Sequence, residues 1–127
     1  MADYPDDLKY HPEHDWARID GETATLGITW YAQDSLGEIV FFDPPAVGTP
    51  LRKDNPYAEV ESVKAVSDVI APLSGDVIEV NEELTGSPEK INEDPYGDGW
   101  LVKIRMSELS EADGLLDSAA YQELLDS

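Results

Sequence analysis

The sequence predicts a mainly β protein, a sandwich or flattened barrel of short strands with short helices at the carboxyl end. Three observations indicate this class: short segments of alternating apolar and polar residues, two similar β segments 38 residues apart, and frequent Gly and Pro between segments. A length of 127 residues with 41% hydrophobic content suits a single domain over 1–127. We expect the β core at about 9–106 and the helical segment at about 107–127.

The first predicted element is a hairpin. Asp20-Gly21 separates two alternating stretches, 16–19 and 23–28, and is typical of a type I′ turn. A turn of helix is expected at 31–36, before Gly37. Further strands are expected at 57–63, with Ala58, Val60 and Ser62 on one face, and at 100–106, with Trp100, Val102, Ile104 and Met106 on one face.

The two similar segments indicate a quasi-twofold pair of β units. Residues 37–40 (GEIV) align with 75–78 (GDVI), and residues 48–50 (GTP) align with 86–88 (GSP). Between them lie two strand-like stretches, 60–63 and 66–70, with no Gly or Pro to mark a turn. The pattern therefore allows one long strand or a hairpin, and we expect a hairpin with Lys64 at its tip.

The character of the chain changes after Met106. Ser110 is a candidate helix cap with Asp113 at the capping-box position, and leucines then recur at helical spacing. Gly114 interrupts the pattern, so we expect two short helices closing one end of the β core.

Charge and composition exclude several functions. The net charge of −20, from 28 acids against 8 bases, would repel nucleic acid and anionic membranes. It is typical either of a salt-adapted surface or of steering toward basic partners. The absence of cysteine excludes a protein thiol and indicates a reducing compartment. No targeting segment or long apolar run is visible, so we expect a cytoplasmic protein.

Lys64 is the only cation among residues 54–89, a stretch that also contains nine carboxylates. A lysine among acids is ordinarily a solvated charge, but the sequence around this one is specific. Residues 61–65 (ESVKA), followed by Ser67-Asp68 and by 71–75 (APLSG), closely resemble the lipoyl-attachment segment of the glycine cleavage system H proteins. Other blocks typical of that family follow the same order, at 26–29, 32–38, 79–81, 94–97 and 99–100, so that the resemblance runs from about residue 9 to about residue 122.

The resemblance implies a lipoyl/biotinyl-type fold and a lipoyl group joined by an amide to Lys64, within an attachment motif that contains Glu61, Ser62, Val63 and Ala65. It implies a monomeric carrier without catalytic activity of its own, because the cofactor does the chemistry. Such a carrier takes an aminomethyl group from a pyridoxal-phosphate glycine decarboxylase to a tetrahydrofolate-dependent aminomethyltransferase. Dihydrolipoyl dehydrogenase then reoxidises it. A lipoate ligase or lipoyltransferase would attach the group.

Members of this family shelter the loaded arm in a cleft, where carboxylates would hold its cationic amine. By position the candidates are Asp15 and Asp68, whose alternative interpretation is ordinary surface acid. The sequence departs from the family here: Asp15 stands where Glu is usual, one methylene shorter. Trp30-Tyr31 stands where an acid and then His or Tyr are usual, and we expect Trp30 to make a hydrophobic contact beneath the helix rather than to form a cleft wall.

Other interpretations are weaker. His11 and His14 lack the further ligands of a zinc site, so we expect no metal. Glu82 and Glu83, expected on a strand, would point to opposite faces and cannot act as a catalytic pair. A biotinyl domain would carry Met on both sides of the lysine, and lipoyl domains of 2-oxo acid dehydrogenases usually carry Asp before it. An H-like protein serving another pathway and an unmodified β-sandwich interaction module remain as alternatives.

Overall fold

The computed structural model describes residues 4–126, which form two antiparallel sheets packed around a common core. The larger sheet has six strands in the order β1-β2-β3-β9-β8-β5, and the smaller has three in the order β4-β6-β7. The strands are β1 (Lys9–His11), β2 (Asp15–Asp20), β3 (Thr23–Ile28), β4 (Ile39–Asp43), β5 (Pro50–Leu51), β6 (Pro56–Ser62), β7 (Val66–Ile70), β8 (Gly75–Val80) and β9 (Val102–Met106). The predicted mainly β class is confirmed, as a sandwich of two open sheets.

The helices are short. They are α1 (Trp30–Leu36), α2 (Glu83–Gly86), α3 (Lys90–Glu93), a 3-10 helix (Leu109–Gly114) and α4 (Ser118–Asp126). The helix expected before Gly37 is therefore present as α1, and the two expected carboxyl-terminal helices are the 3-10 helix and α4. Within the described part of the chain, no helix has the length and apolar character needed to cross a bilayer.

Alternating side chains from both sheets form the core. Val60 on β6 and Val69 on β7 share one buried cluster with Leu26 on β3 and Ile104 on β9, and all four are at most 2% exposed. Full burial of an aliphatic side chain of this size contributes about 1.5–3 kcal/mol. The predicted faces are confirmed in part, since Val60, Ser62, Val102, Ile104 and Met106 are buried, whereas Ala58 is only half-buried. Strand β9 begins at Val102, so the alternation does not extend to Trp100 and Leu101: Trp100 is half-buried against the second cluster and Leu101 is fully buried in the core.

The hairpin between β2 and β3 is confirmed, but its predicted turn type is wrong. Asp20 pairs with Thr23, so that the loop residues are Gly21 and Glu22. A type I′ turn needs positive φ at both, whereas only Gly21 has it, at 64°. Glycine at the first loop position alone is the pattern of a type II′ turn, which also matches the twist of the strands.

The aligned segments are equivalent only at their first block. Gly37-Glu38 leads into β4 and Gly75 begins β8, so each copy of that block starts a strand, in different sheets. The second block differs: Gly48, with φ of 94°, turns the chain toward β5, while Gly86 ends α2. The two glycines of the second block therefore match in sequence but not in local structure.

The predicted cap at Ser110 is wrong. The 3-10 helix already begins at Leu109, and the Ser110 hydroxyl contacts the Glu108 carboxylate at 3.2 Å instead of a helix amide. Helix α4 begins after Asp117, whose Oδ1 accepts from the Ala120 amide at 2.8 Å. This helix buries Tyr121 in a second cluster with Leu8, Tyr10 and Trp16, against the outer part of the six-stranded sheet.

Candidate functional site

Lys64 lies at the tip of the β6–β7 hairpin, as the sequence predicted. Glu61 pairs with Val66 as the last ladder pair, and Val63, Lys64 and Ala65 form the exposed turn between the two strands. The side chain of Val63 is 68% exposed. The tip therefore exposes a lysine and its two apolar neighbours to solvent.

Ser62 closes this turn in place of a glycine. Its Oγ accepts from the Lys64 amide at 3.2 Å and from the Ala65 amide at 3.1 Å, and the Ser62 amide donates to the Ala65 carbonyl at 2.8 Å. A serine hydroxyl that bonds nearby backbone groups stabilises a local turn. This explains how the chain reverses without Gly or Pro.

The Lys64 side chain lies against the carboxyl-terminal end of α1. Its Nζ donates to the Ser35 carbonyl at 3.0 Å, and its Cε lies over Gly37. Glycine is favoured at position 37 because φ there is 84°, and a Cβ would also lie 3.2 Å from Cε, so that the flexible Lys64 side chain would have to shift slightly. A cation at this end of a helix is also favoured by the exposed carbonyls.

Asn92 on α3 holds this end of α1 in place. Its Nδ2 donates to the Gly37 carbonyl at 2.8 Å and to Gln33 Oε1 at 3.0 Å, and its Oδ1 accepts from the Ile39 amide at 2.8 Å. The half-buried Asn92 amide thus ties α1 to the start of β4. Sequence reasoning missed Asn92, because nothing in the linear pattern places it beside Gly37.

A cleft of about 160 Å³ begins beside Ser35, the residue whose carbonyl binds Lys64 Nζ, and runs between α1 and the two sheets. The lining includes Asp15 and Asp68, the two carboxylates named from the sequence. The full lining is Glu13, His14, Asp15, Ile28, Tyr31, Ala32, Ser35, Leu36, Val60, Ser67, Asp68 and Val69. The structure therefore brings both candidate carboxylates into one groove and places Lys64 Nζ against Ser35, one of the residues that line it.

The two carboxylates differ in environment. Asp15, at the start of β2, is 2% exposed, and its Oδ2 has no hydrogen-bond partner among the described residues. Burial, with a smaller contribution from Glu13, raises the pKa of Asp15 well above its usual value. Asp68 lies exposed on β7, opposite Glu59. Asp15 is therefore not the ordinary surface acid of the alternative interpretation.

Trp30 and Tyr31 take different positions. Tyr31 lines the cleft, whereas Trp30 is not among the lining residues, and its amide donates to the Tyr96 hydroxyl at 2.9 Å. Trp30 is half-buried and lies outside both apolar clusters. The expectation that it is not a cleft wall agrees with this placement, but the expected hydrophobic contact beneath the helix is not seen in those clusters.

His14 is a cleft residue that the sequence reasoning considered only as a metal ligand. Its Nδ1 lies 2.7 Å from the Tyr121 hydroxyl, which in turn lies 2.8 Å from Thr29 Oγ1. The His14 ring also packs on Tyr31 at a centroid distance of 4.5 Å. Burial lowers the pKa of His14, with Glu13 acting in the opposite sense.

The remaining candidates do not line the cleft. His11 Nε2 lies 2.7 Å from Asp54 Oδ1, and its Nδ1 accepts from the Glu13 amide, so both ring nitrogens are already bonded. No group of three metal-ligating side chains occurs in residues 4–126. Glu82 and Glu83 lie at the start of α2, not on a strand as expected, and both are exposed.

Comparisons with known proteins agree on one family. The family model described as Glycine cleavage H-protein matches residues 8–127. The chain is 53% identical over 121 residues to the glycine cleavage system H protein of Symbiobacterium thermophilum, covering 95% of this chain and 94% of that protein. It is 52% identical over 126 residues to that of Halorhodospira halophila, covering 98% and 97%.

The solved structures give the same result for the fold. The crystal structure of a glycine cleavage system H protein from Mycobacterium marinum superposes with a TM-score of 0.88 at 36% identity, covering 97% of this chain and 99% of that one. The similarity therefore extends over nearly the whole length of each chain.

Proposed function

Because the chain belongs to the glycine cleavage H-protein family, whose members are the lipoyl-bearing shuttle of that system, we propose that Lys64 is its lipoylation site and that the adjoining cleft shelters the cargo. The observation that carries the proposal is the contact of Lys64 Nζ with Ser35, a residue of the cleft that also contains Asp15 and Asp68. An arm extending from Nζ would have this groove beside its origin. The whole of 1–127 would act as one carrier domain.

When bound, a lipoyl group would supply a disulfide that can accept and release an aminomethyl group, which the cysteine-free chain cannot do. The protein itself would present Lys64 to its partner enzymes and shelter the group that the arm carries. Val63 and Ala65 leave Lys64 open to an attaching enzyme, and Ser62 with the last pair of the hairpin, Glu61 and Val66, fixes the direction of the tip.

Within the cleft, the buried Asp15 and the exposed Asp68 would balance the cationic amine of the cargo. Asp15 is buried with an unpartnered oxygen, so a cation there would gain a charge-assisted hydrogen bond that no protein group provides. Ile28, Val60 and Val69 make much of the remaining wall apolar, which would limit water beside the amine. Decomposition of the cargo would be slowed for that reason.

The partners we propose are those of the system: the glycine decarboxylase, the aminomethyltransferase, dihydrolipoyl dehydrogenase and the enzyme that attaches lipoate. A chain with net charge −20 favours partners with basic surfaces, and their association should slow as salt is added.

Intact mass after expression with lipoate and a lipoate ligase tests the attachment site. We expect one lipoyl increment in the unaltered chain and none in Lys64→Arg. Lys9→Arg, which changes another exposed lysine, is the matched control and should keep the increment. An increment that persists in Lys64→Arg would refute the assignment, a biotinyl increment would identify a biotin domain, and no increment with an active ligase would favour the unmodified interaction module.

A second assay tests the pathway. Lipoylated protein should support the exchange of bicarbonate with the glycine carboxyl group by a matched glycine decarboxylase. Lipoylated protein that fails in this exchange would instead favour an H-like carrier for another pathway.

A further inference from the structure

The cleft contains one imidazole, and its hydrogen bonds determine which of its nitrogens carries a proton. Thr29 Oγ1 is fully buried and accepts from the Ala32 amide at 3.3 Å, as the cap of α1. It also lies 2.8 Å from the Tyr121 hydroxyl, which lies 2.7 Å from His14 Nδ1. These three side chains form a hydrogen-bond chain from α1 through α4 to the cleft.

Only one arrangement of protons satisfies this chain. If Thr29 donates to Tyr121 and Tyr121 donates to His14, each hydroxyl hydrogen has an acceptor and Nδ1 is unprotonated. If Nδ1 instead donated to Tyr121, one hydroxyl hydrogen, that of Thr29 or that of Tyr121, would have no acceptor among the described residues. Both residues are fully buried, so that the unpaired hydrogen would be costly.

The same geometry opposes a charged imidazole. Protonated histidine carries a hydrogen on both nitrogens, so charging His14 would leave one hydroxyl hydrogen of the chain unpaired. We propose that the hydrogen-bond chain of Thr29, Tyr121 and His14 keeps His14 neutral, with its proton on Nε2, and so keeps the cleft selective for a cationic cargo. The proposal rests on the proposed function, because it supposes an amine that is sheltered there.

The protonation state of His14 matters because it changes the net charge of the cleft. A neutral imidazole leaves the carboxylates to set the local potential, whereas an imidazolium would offset one of them and repel the amine. Burial of the ring acts in the same direction as the chain, lowering the pKa of His14. The ionisable groups around the ring are Glu13, Asp15 and His11 in its own segment, Tyr31 on α1, Asp68 on β7, and Tyr4 and Tyr121 in the aromatic cluster.

Nitrogen-15 NMR of the labelled, unlipoylated protein tests the chain directly. In the unaltered protein we expect His14 to show the Nε2–H tautomer. Its titration midpoint should lie below that of an ordinary histidine, which is about pH 6.5. In Tyr121→Phe the tautomers should mix and the titration midpoint should rise by about one pH unit, the order expected for loss of one hydrogen bond. An unchanged tautomer and midpoint in Tyr121→Phe would overturn the proposal.

Tyr10→Phe is the matched control. Tyr10 is equally buried and stacks on Tyr121 at 4.9 Å, but its hydroxyl donates to the Pro5 carbonyl rather than to His14. It should destabilise the same aromatic cluster without moving the His14 titration. A shift of equal size in Tyr10→Phe would show that loosening of the cluster, not the hydrogen-bond chain, controls His14, and would overturn the proposal.

Loaded protein tests the consequence for the cargo. As the pH is lowered, decomposition of the carried aminomethyl group should become faster. In Tyr121→Phe this increase should begin at a pH about one unit higher than in the unaltered protein. Identical pH profiles would overturn the charge role even if the NMR titration shifts. Failure of Lys64 to accept lipoate is a separate result, since it would refute the proposed function while the NMR titration of unlipoylated protein would be unaffected.

Discussion

Replacement of Asp15 by Asn should stabilise the unloaded protein and weaken its interaction with the amine of the cargo. The carboxyl group is 2% exposed and one oxygen has no partner among the described residues. Leaving a buried polar group unsatisfied costs about 1–3 kcal/mol, and more when the group is charged. Asn occupies nearly the same volume and its amide would also lack a partner there, but it cannot ionise. Because the cost of burying a charge is then removed, we expect a gain of about 1–3 kcal/mol in the free energy of unfolding at about pH 8.

The sign of the pH dependence follows from the direction of the pKa shift. Burial raises the pKa of Asp15 in the folded state, so folding favours the protonated form. The penalty is therefore absent below the pKa of an unfolded aspartate, about 3.9, and grows as the pH rises through the pKa of the buried group. The difference between Asp15→Asn and the unaltered protein should vanish at about pH 3.5 and be largest at neutral and alkaline pH.

Urea unfolding of the unlipoylated protein across this pH range measures the effect. For a chain of this length, the expected gain corresponds to a rise in melting temperature of about 4–12 °C. Asp68→Asn is the matched control: it removes an exposed carboxylate from the same cleft and should change stability by no more than about 0.5 kcal/mol. If Asp15→Asn is equally or less stable at pH 8, then Asp15 has a favourable partner and the proposed role of its free oxygen is wrong.

Two further predictions concern the support of Lys64. Ser62→Ala removes the acceptor for two tip amides, so it should cost about 1 kcal/mol in stability and slow lipoylation, which is measured by intact mass over time. Ser67→Ala on the next strand is the control, and equal lipoylation rates in the two variants would count against the role of Ser62 in the turn. Gly37→Ala should cost about 1–3 kcal/mol in urea unfolding because φ is 84°, whereas Gly86→Ala, with open space around it, should stay within about 0.5 kcal/mol. Similar losses in both glycine variants would mean that strain at position 37 is not the cause.

The strands and the hairpin were predictable because their signal is local. Alternation identified the buried faces of β6 and β9, and the acidic surroundings of Lys64 singled it out before any fold was known. The turn itself was ambiguous, since its stabilising group is a serine hydroxyl, a residue common in every kind of loop. The two glycines that begin the aligned segments also looked alike, although Gly37 is required by its φ and Gly75 by the Arg105 carbonyl, which a Cβ would approach to 2.2 Å.

The cleft could not be derived in the same way because its walls come from distant parts of the chain. Asp15, Tyr31 and Asp68 lie on β2, α1 and β7, and no periodic pattern joins them. Family resemblance named the two acids, but the burial of Asp15 follows only from packing. The contribution of Tyr121 was equally hidden, since its leucine-spaced helix indicates a buried face and not a hydrogen bond to His14.

The way the hairpin turns has a consequence for how freely its sequence can vary. No described residue of the tip has positive φ, and the shape of the turn depends on the Ser62 hydroxyl and the backbone. The side chains of Val63 and Ala65 are not needed for the shape of the turn, so substitutions there should leave the loop unstrained. The residues at these two positions can therefore be selected for recognition by the enzyme that modifies the lysine. Replacing them should change which ligase accepts the protein without unfolding it.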